Sequence, residues 1–298
     1  MTIDIYRTPD DRFDNLPGYD FQPHYLEQDG LRMHYLDEGD GDPVLLLHGE
    51  PTWSYLYRKM IPVLVAAGHR VVAPDYFGFG RSDKPTSLGW YTYDGHVEAI
   101  KRFVTDLDLH DITVVVQDWG GPIGLRAATE MDDRFARLVI LNTGIFSGQS
   151  KMPEAWWQFR NFVDRVKPDV PVGMLVARAC AMEPSPEVVA AYEAPFPVPE
   201  SKWGAAAFPL IVPTSPDDPG AAGAMVMAER LRQWRKPAMV AWSDSDFIFP
   251  VSVGERMAAR IPGAGKLVLI RGASHFLQED KGEEIADHVV RFLAIEAP

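Results

Sequence analysis

The chain has 298 residues, enough for one large α/β domain with an insertion or for two domains. Its 42 acidic residues outnumber its 29 basic residues, and the net charge of −13 argues against nucleic acid or an anionic membrane as a partner, because both need a basic face. The only cysteine, Cys180, excludes an intrachain disulfide and lies far from any Cys/His cluster, so we expect no structural zinc and a reducing, cytoplasmic setting.

The start of the chain, residues 1–6, has no basic run followed by an apolar core, which predicts no export signal. Beyond it, short runs rich in β-branched residues alternate with helical stretches over 93–107, 122–131 and 281–293. Several runs are apolar at nearly every position, which is typical of strands buried on both faces. We therefore predict an α/β fold with a mostly parallel twisted sheet flanked by helices. The predicted strands are residues 31–36, 44–47, 70–73, 113–116, 138–141, 238–242 and 266–270.

Residues 48–53 (His-Gly-Glu-Pro-Thr-Trp) form a loop directly after the strand predicted over 44–47. In a sheet that carries a nucleophile at a strand end, a backbone N–H of such a loop completes an oxyanion hole with the N–H of the residue after the nucleophile. Glu50 and Trp119 would supply these two groups. We interpret the side chains of His48 and Glu50 as groups that order the loop.

Residues 117–121 (Gln-Asp-Trp-Gly-Gly) follow a buried run and have the frame of a nucleophile elbow, a sharp strand-to-helix turn. Asp118 stands where a hydrolase usually carries serine. A carboxylate displaces a leaving group from saturated carbon without a base and becomes an alkyl ester, so the elbow indicates alkyl transfer. The glycines permit the tight turn, and Pro122 suits the first turn of the next helix, whose dipole favours negative charge. The alternative is that Asp118 caps this helix.

Between about residues 144 and 224 the alternation of strands and helices ends. Twelve of the 25 prolines lie between Pro153 and Pro219, alongside helical stretches over 154–166 and 187–192. We predict that residues 145–224 are a helical cap inserted into a main domain of residues 1–144 and 225–298.

An elbow of this kind requires an acid and a histidine later in the chain, each on a loop after a strand. Asp244 and Asp246 follow the strand predicted over 238–242, and His275 follows the one over 266–270. We prefer Asp246 as the acid, because Asp244 is closer to the strand and would serve equally for capping or solvation. Other histidines lie in predicted helices or in a turn: His96, His288 and His110.

Together these motifs resemble those of the haloalkane dehalogenases of the α/β-hydrolase superfamily, over nearly the whole chain. The resemblance implies that Asp118 is the nucleophile, His275 the base that activates water, Asp246 its acid partner and Trp119 one of two halide-binding residues. It also implies a small neutral halogenated alkane and water as substrates, halide as a product, and no cofactor or metal. The motifs that carry it are residues 48–60, 73–85, 116–121 and 274–276.

The chain departs from the family pattern at the second halide donor, a tryptophan on the first cap helix. The residue aligned with it here is Phe159. A phenyl ring has no N–H to donate, so either Trp156, one helical turn back, or Trp157 compensates, or halide binding is weakened.

Two other functions stay open. An epoxide hydrolase uses the same aspartate chemistry but needs cap tyrosines to protonate the epoxide oxygen, and the predicted cap contains only Tyr192. The second is a binding protein without catalytic activity. The lack of an N–H donor at Phe159 would agree with this function, although Asp118, Asp246 and His275 are all present.

Overall fold

The computed structural model describes residues 4–294, so the predicted absence of an export signal falls partly outside the described residues. Within them the chain forms ten strands, eight in one sheet and two in a short separate pair. The strands are β1 (Ile5–Tyr6), β2 (His24–Gln28), β3 (Leu31–Glu38), β4 (Pro43–Leu47), β5 (Arg70–Pro74), β6 (Lys84–Pro85), β7 (Ile112–Val116), β8 (Phe135–Leu141), β9 (Ala238–Ser243) and β10 (Val268–Ile270).

The described residues also form ten α-helices and five short 3₁₀ helices. The α-helices are α1 (Ile61–Ala66), α2 (Tyr93–Asp106), α3 (Gly120–Glu130), α4 (Glu154–Val166), α5 (Val172–Ala179), α6 (Pro186–Glu193), α7 (Trp203–Leu210), α8 (Ala221–Leu231), α9 (Val251–Arg260) and α10 (Leu277–Leu293). The 3₁₀ helices are Asp10–Phe13, Ser54–Tyr57, Leu88–Trp90, Asp132–Arg134 and Pro199–Lys202.

The large sheet has the strand order β10-β9-β8-β7-β4-β5-β3-β2. Neighbouring strands from β10 to β5 run parallel, and β3 and β2 run antiparallel at one edge. The predicted fold class, a mostly parallel sheet flanked by helices, is confirmed.

The strand predicted over residues 31–36 is present as β3, and it runs antiparallel to both of its neighbours. It pairs with β2, which the sequence analysis did not predict, through a turn in which Asp29 and Gly30 both have positive φ. Positive φ at both positions is the geometry of a type I′ turn, one of the two common turns of two-residue hairpins, and an Asp-Gly pair readily adopts it. The turn therefore reverses the chain where a parallel connection would need a crossover.

Successive residues of the central strands enter two separate apolar cores on opposite faces of the sheet. In β7, Val114 and Val116 belong to the core that also contains Ile100 of α2, whereas Val115 belongs to the core that contains Ile285 of α10. Because both faces are covered, the central strands need apolar residues at consecutive positions. This explains the continuous apolar runs that revealed the strands in the sequence.

The segment between β8 and β9 has no strand within the described residues. It consists of helices α4 to α8, the 3₁₀ helix Pro199–Lys202 and connecting loops. Helix α4 has the bounds predicted from the sequence. The expected cap boundary between residues 224 and 225 lies inside α8, which packs against α3. In residues 4–294, no helix is both long enough and apolar enough to cross a membrane.

Candidate active site

The strand order changes direction at β4. The chain places β5 on one side of β4 and later returns to place β7 on the other side. Such a switch point leaves a crevice beyond the carboxyl ends of the two parallel strands. Leu47 of β4 pairs with Val116 of β7, so the loop with Glu50 and the turn with Asp118 meet at this crevice. The backbone N–H of Glu50 donates to Asp118 Oδ1 over 2.8 Å.

Asp118 occupies a sharp turn between β7 and α3, and its φ of 48° lies in the left-handed region. Gly120 makes the close approach of α3 possible, since a Cβ there would collide with the carbonyl oxygen of Leu47. The backbone of Asp118 is held by neighbours after β8, with its N–H donating to the Asn142 carbonyl over 2.9 Å. Its own carbonyl accepts from Thr143 Oγ1 over 2.6 Å. Packing on both sides therefore fixes a backbone conformation that is unfavourable for a residue with a Cβ.

The Asp118 carboxylate does not cap helix α3, which begins without a side-chain cap. Its Oδ1 accepts from the Glu50 N–H, and its Oδ2 lies 3.6 Å from His275 Nε2. The capping alternative is thus wrong. Within residues 4–294, the backbone N–H of Trp119 has no hydrogen-bond partner.

His275 lies between β10 and α10, and the loop after β9 brings Asp246 beside it. His275 Nδ1 and Asp246 Oδ2 are 3.0 Å apart. The other oxygen of Asp246 accepts two backbone N–H groups of its own loop, at 2.7 and 3.0 Å. Asp244 instead accepts from the N–H of Gly272 over 3.0 Å. The structure therefore brings Asp118, Asp246 and His275 together and uses Asp244 to join two loops.

Asn142 is a site residue that the sequence analysis did not single out. It follows β8, and its Nδ2 donates to Asp246 Oδ2 over 2.8 Å and to the Ser274 carbonyl over 3.2 Å. It thus connects the acid loop with the histidine loop. Its position at the carboxyl end of a predicted parallel strand is the signal that would have identified it.

Charges around His275 favour its protonated form. Burial lowers the pKa of His275, but the carboxylates of Asp246 and Asp118 outweigh burial and raise it to about 10. The side chain of Glu50 is also buried, and burial together with the Asp118 charge raises the pKa of its carboxyl well above the usual range. The site therefore combines two carboxylates with one imidazolium beside a neutral Glu50.

His48 orders the Glu50 loop, as expected. Its Nδ1 lies 2.9 Å from the Gly49 carbonyl, and its Nε2 accepts from the backbone N–H of Tyr76 over 3.1 Å. Burial lowers the pKa of His48, which agrees with a neutral ring that donates at one nitrogen and accepts at the other.

Aromatic rings surround the side chain of Trp119. Its ring centroid lies 5.0 Å from that of Phe208 and 5.7 Å from that of Phe146. The ring of Phe249 lies 5.7 Å from the imidazole of His275. These contacts give the crevice the apolar character that suits a neutral alkyl group.

The three aromatic residues of interest on α4 have different surroundings. Trp156 packs against the same apolar core that contains Trp119. Trp157 lies edge-on against Trp156, with ring centroids 4.9 Å apart. Phe159 packs against a separate small cluster that includes Val163.

A buried ion pair connects the histidine loop with its surroundings. Glu279, in the first turn of α10, accepts from Arg58 Nη1 at 2.6 Å and from Arg58 Nη2 at 2.8 Å. The hydroxyl of Tyr192, on α6, donates to the same carboxylate over 2.7 Å. Burial alone would raise the pKa of Glu279, but the bonds and charge of Arg58 lower it to about 2.

Replacing Glu279 with alanine is expected to lower the free energy of unfolding by about 3 kcal/mol, because Arg58 would stay buried without its counter-charge. Urea unfolding measures this change. Since the folded-state pKa of Glu279 is depressed from its usual 4.5 to about 2, its contribution is complete above the usual value and is lost as the pH falls toward 2. The wild type should thus lose more stability in this range than the variant.

The matched control is Glu284→Ala, an exposed carboxylate on the same helix, which should change stability by no more than about 0.5 kcal/mol. Equal effects of the two substitutions would contradict a stabilising role for the Arg58–Glu279 pair.

Three features define an α/β hydrolase: the mostly parallel sheet, the elbow at the switch point and the site residues that follow successive strand ends. A family model described as alpha/beta hydrolase fold matches residues 42–176. The chain is 48% identical to a haloalkane dehalogenase of Psychrobacter cryohalolentis, over 97% of this chain and 98% of that protein. It is also 48% identical to haloalkane dehalogenase 1 of Mycobacterium tuberculosis, again over 97% of this chain and 98% of that protein.

A solved tetrameric haloalkane dehalogenase from Paraglaciecola agarilytica superposes with a TM-score of 0.93 and 39% identity, covering 98% of this chain and 100% of that chain. The chain therefore belongs to the haloalkane dehalogenase family, whose members are hydrolases that act on carbon–halide bonds.

Proposed function

We propose that this protein hydrolyses the carbon–halogen bond of small neutral haloalkanes, with Asp118 as the nucleophile, and releases an alcohol, a halide and a proton. The observation that carries the proposal is the Asp118 carboxylate on the elbow, 3.6 Å from His275 Nε2. A carboxylate in place of serine suits attack on saturated carbon rather than on an acyl group. No cofactor or metal is required, since the nucleophile is already charged and water is the second substrate.

In the first step, Asp118 attacks the carbon from the side opposite the halogen. A carbon–oxygen bond forms as the carbon–halogen bond breaks, and the halide leaves with the bonding electrons. Because Oδ1 is held by the Glu50 N–H, we assign Oδ2 as the attacking oxygen. Oδ1 then becomes the ester carbonyl and already lies beside an oxyanion-hole donor.

In the second step, His275 acts as the base. Alkylation removes the Asp118 charge, so the pKa of His275 falls and its Nε2 proton is released. The neutral imidazole then takes a proton from water, and the hydroxide attacks the ester carbonyl of Asp118. The N–H groups of Glu50 and Trp119 stabilise the oxyanion at Oδ1. The tetrahedral intermediate then collapses: the bond to the alkyl oxygen breaks, and the proton of the newly added hydroxyl passes to the leaving alkoxide. This releases the alcohol and restores the charged Asp118 beside protonated His275.

The leaving halide is bound by indole N–H groups. Trp119, next to the nucleophile, supplies one of them, and Trp156 supplies the other. Trp156 is favoured over Trp157 because it packs against the core that contains Trp119. Phe159 has no N–H and packs against a different cluster, so it does not take this role.

Replacing Trp119 or Trp156 with phenylalanine is expected to slow halide displacement by about 10²-fold, because each loses one donor to a developing anion in an apolar site. Pre-steady-state halide release measures the rate, and quenching of tryptophan fluorescence by bromide measures halide binding. Trp157→Phe is the matched control and should be nearly silent, since adjacent helical residues point about 100° apart. Wild-type rates in both Trp156→Phe and Trp157→Phe would contradict an indole donor from α4.

We assign residues 145–224 to a helical cap over the crevice and residues 1–144 and 225–298 to the main domain. This segment supplies Phe146 and Phe208, whose rings lie against Trp119. An apolar enclosure of this kind suits a neutral alkyl chain and excludes bulk water from the displacement step.

An epoxide hydrolase is disfavoured by the contacts of Tyr192. Its buried hydroxyl donates to Glu279, so it is not free to protonate an epoxide oxygen. Incubation of the purified protein with 1-bromobutane should release bromide and butanol in equal amounts. Turnover of styrene oxide without bromide release would favour the epoxide hydrolase, and no product from either substrate would favour an idle binding protein.

A further inference from the structure

Gln117, the residue before the nucleophile, has no part in the two steps described above, yet it contacts the imidazole of His275. It is fully buried at the end of β7. Its Nε2 donates to the backbone carbonyl of His275 over 3.1 Å and lies 3.3 Å from His275 Nε2. One amide group therefore touches both the backbone and the reactive nitrogen of the base.

These contacts fix which end of the amide faces His275. A backbone carbonyl only accepts hydrogen bonds, so the NH₂ end of Gln117 must face it and the oxygen end cannot. Within the described residues, Oε1 of Gln117 has no hydrogen-bond partner. The orientation of the Gln117 amide is therefore set by the hydrogen bonds of its NH₂ group. The second N–H of the same NH₂ group is then directed at His275 Nε2. This contact is favourable when Nε2 carries a lone pair and unfavourable when it carries a proton.

The two carboxylates that face the imidazole act in the opposite direction, because they favour its protonated form. Asp246 Oδ2 lies 3.0 Å from Nδ1, and Asp118 Oδ2 lies 3.6 Å from Nε2. The buried carboxyl of Glu50 lies near the same site, and the rings of Phe249 and Phe276 pack against the imidazole. Once Asp118 is esterified, the charge facing Nε2 is gone. The amide of Gln117 then becomes the polar side chain directed at that nitrogen.

We infer that Gln117 is a positioning residue that favours neutral His275, with Nε2 unprotonated, in the alkyl-enzyme, and thereby sets the pH range in which the ester is hydrolysed. The kinetic part of this inference, the effect on ester hydrolysis, rests on the proposed function. The structural part, that Gln117 favours the unprotonated Nε2, is independent of turnover. Both parts are therefore testable separately.

The direct test is histidine side-chain ¹⁵N NMR on the full chain carrying Asp118→Ala, which removes the carboxylate charge as esterification does. The signals of His275 are assigned by their loss in His275→Phe. Adding Gln117→Leu or Gln117→Met, two apolar residues of similar volume, is expected to raise the titration midpoint of His275 by about one pH unit. Two variants protect the test against a folding failure in one of them, which circular dichroism would detect.

The matched control is Gln278→Leu, which removes another fully buried glutamine three residues after His275. Within residues 4–294, neither amide atom of Gln278 has a hydrogen-bond partner, so its removal takes no hydrogen bond from the imidazole and the midpoint should stay unchanged. An unchanged midpoint in the Gln117 variants, or an equal shift in Gln278→Leu, would overturn the inference.

The kinetic arm uses chains with Asp118 intact. Decay of the alkyl-enzyme, followed by mass spectrometry after a single turnover with 1-bromobutane, should have its pH profile moved upward by about one unit in Gln117→Leu and be about tenfold slower at neutral pH. Formation of the ester should keep its wild-type rate. Failure of the wild type to release bromide would contradict the proposed function, whereas a normal wild type with unmoved profiles in the variants would contradict the role of Gln117.

Discussion

Replacing Asp118 with alanine is expected to lower the rate of halide release by about 10⁴-fold or more, the effect typical of removing a covalent nucleophile. The Glu50 N–H and the Trp119 indole would remain, but neither can form a bond to carbon. Bromide release from 1-bromobutane measures the rate. Intact-protein mass spectrometry in the His275→Phe background should show no alkyl adduct once Asp118 is replaced.

The matched control is Asp133→Ala, an exposed aspartate just beyond the far end of the helix that the elbow begins. It should keep wild-type activity. The positive φ of Asp118 costs energy for alanine as it does for any residue with a Cβ, so the variant keeps this strain, and circular dichroism should be used to check that it is folded. Activity near the wild-type level in Asp118→Ala would exclude the whole mechanism.

Replacing His275 with phenylalanine is expected to block the second step and leave the first intact, because displacement by Asp118 needs no base. The protein should release one equivalent of bromide, stop, and carry one added alkyl group in its intact mass. Steady-state turnover should fall by about 10⁴-fold or more, since the alkyl-enzyme no longer returns to its free form. Rapid-quench bromide assays and mass spectrometry measure the two steps separately.

His110→Phe serves as the control for this experiment, because His110 is an exposed histidine far along the chain from the acid and base loops. It should turn over normally and accumulate no adduct. An unmodified mass in His275→Phe, with the wild type active, would remove either His275 from the role of base or Asp118 from that of nucleophile.

The pH dependence of the two steps should differ. The resting site stabilises protonated His275 through Asp246 and Asp118, which raise its pKa to about 10. In the proposed mechanism, the displacement step does not require neutral His275. The hydrolytic step needs the neutral imidazole, so it should slow as the pH falls while displacement does not. The alkyl-enzyme should therefore accumulate at low pH even in the wild type.

The local pattern of apolar residues was sufficient to predict the strands that are buried on both faces of the sheet. Strands such as β4 and β7 are apolar at nearly every position because their side chains enter a core on each face of the sheet. The hairpin that joins β2 to β3 was missed. Its second strand, β3, was predicted, but β2 carries polar residues such as His24, Glu27 and Gln28 and therefore has no continuous apolar run.

The positions of Asp118, Asp246 and His275 could be predicted because the loops that follow parallel strands meet at one edge of the sheet. The order of these residues in the chain and their distance from strand ends are local properties. Asn142 and Gln117 were not singled out, although each also adjoins a strand end. A single Asn or Gln does not form a recognisable sequence motif. The role of its side-chain amide depends on which groups from distant loops lie within hydrogen-bond distance.

The sequence by itself determined the parallel part of the sheet, the elbow with an aspartate at its tip and the later loops that carry an acid and a histidine. Only the tertiary structure decided that Asp246 and not Asp244 lies beside His275, that Trp156 packs with the core of Trp119 while Phe159 does not, and that Tyr192 is bound to Glu279. The physical reason is the separation along the chain between the residues that interact. Strand and turn preferences act between near neighbours, whereas hydrogen bonds and packing join residues far apart in the chain.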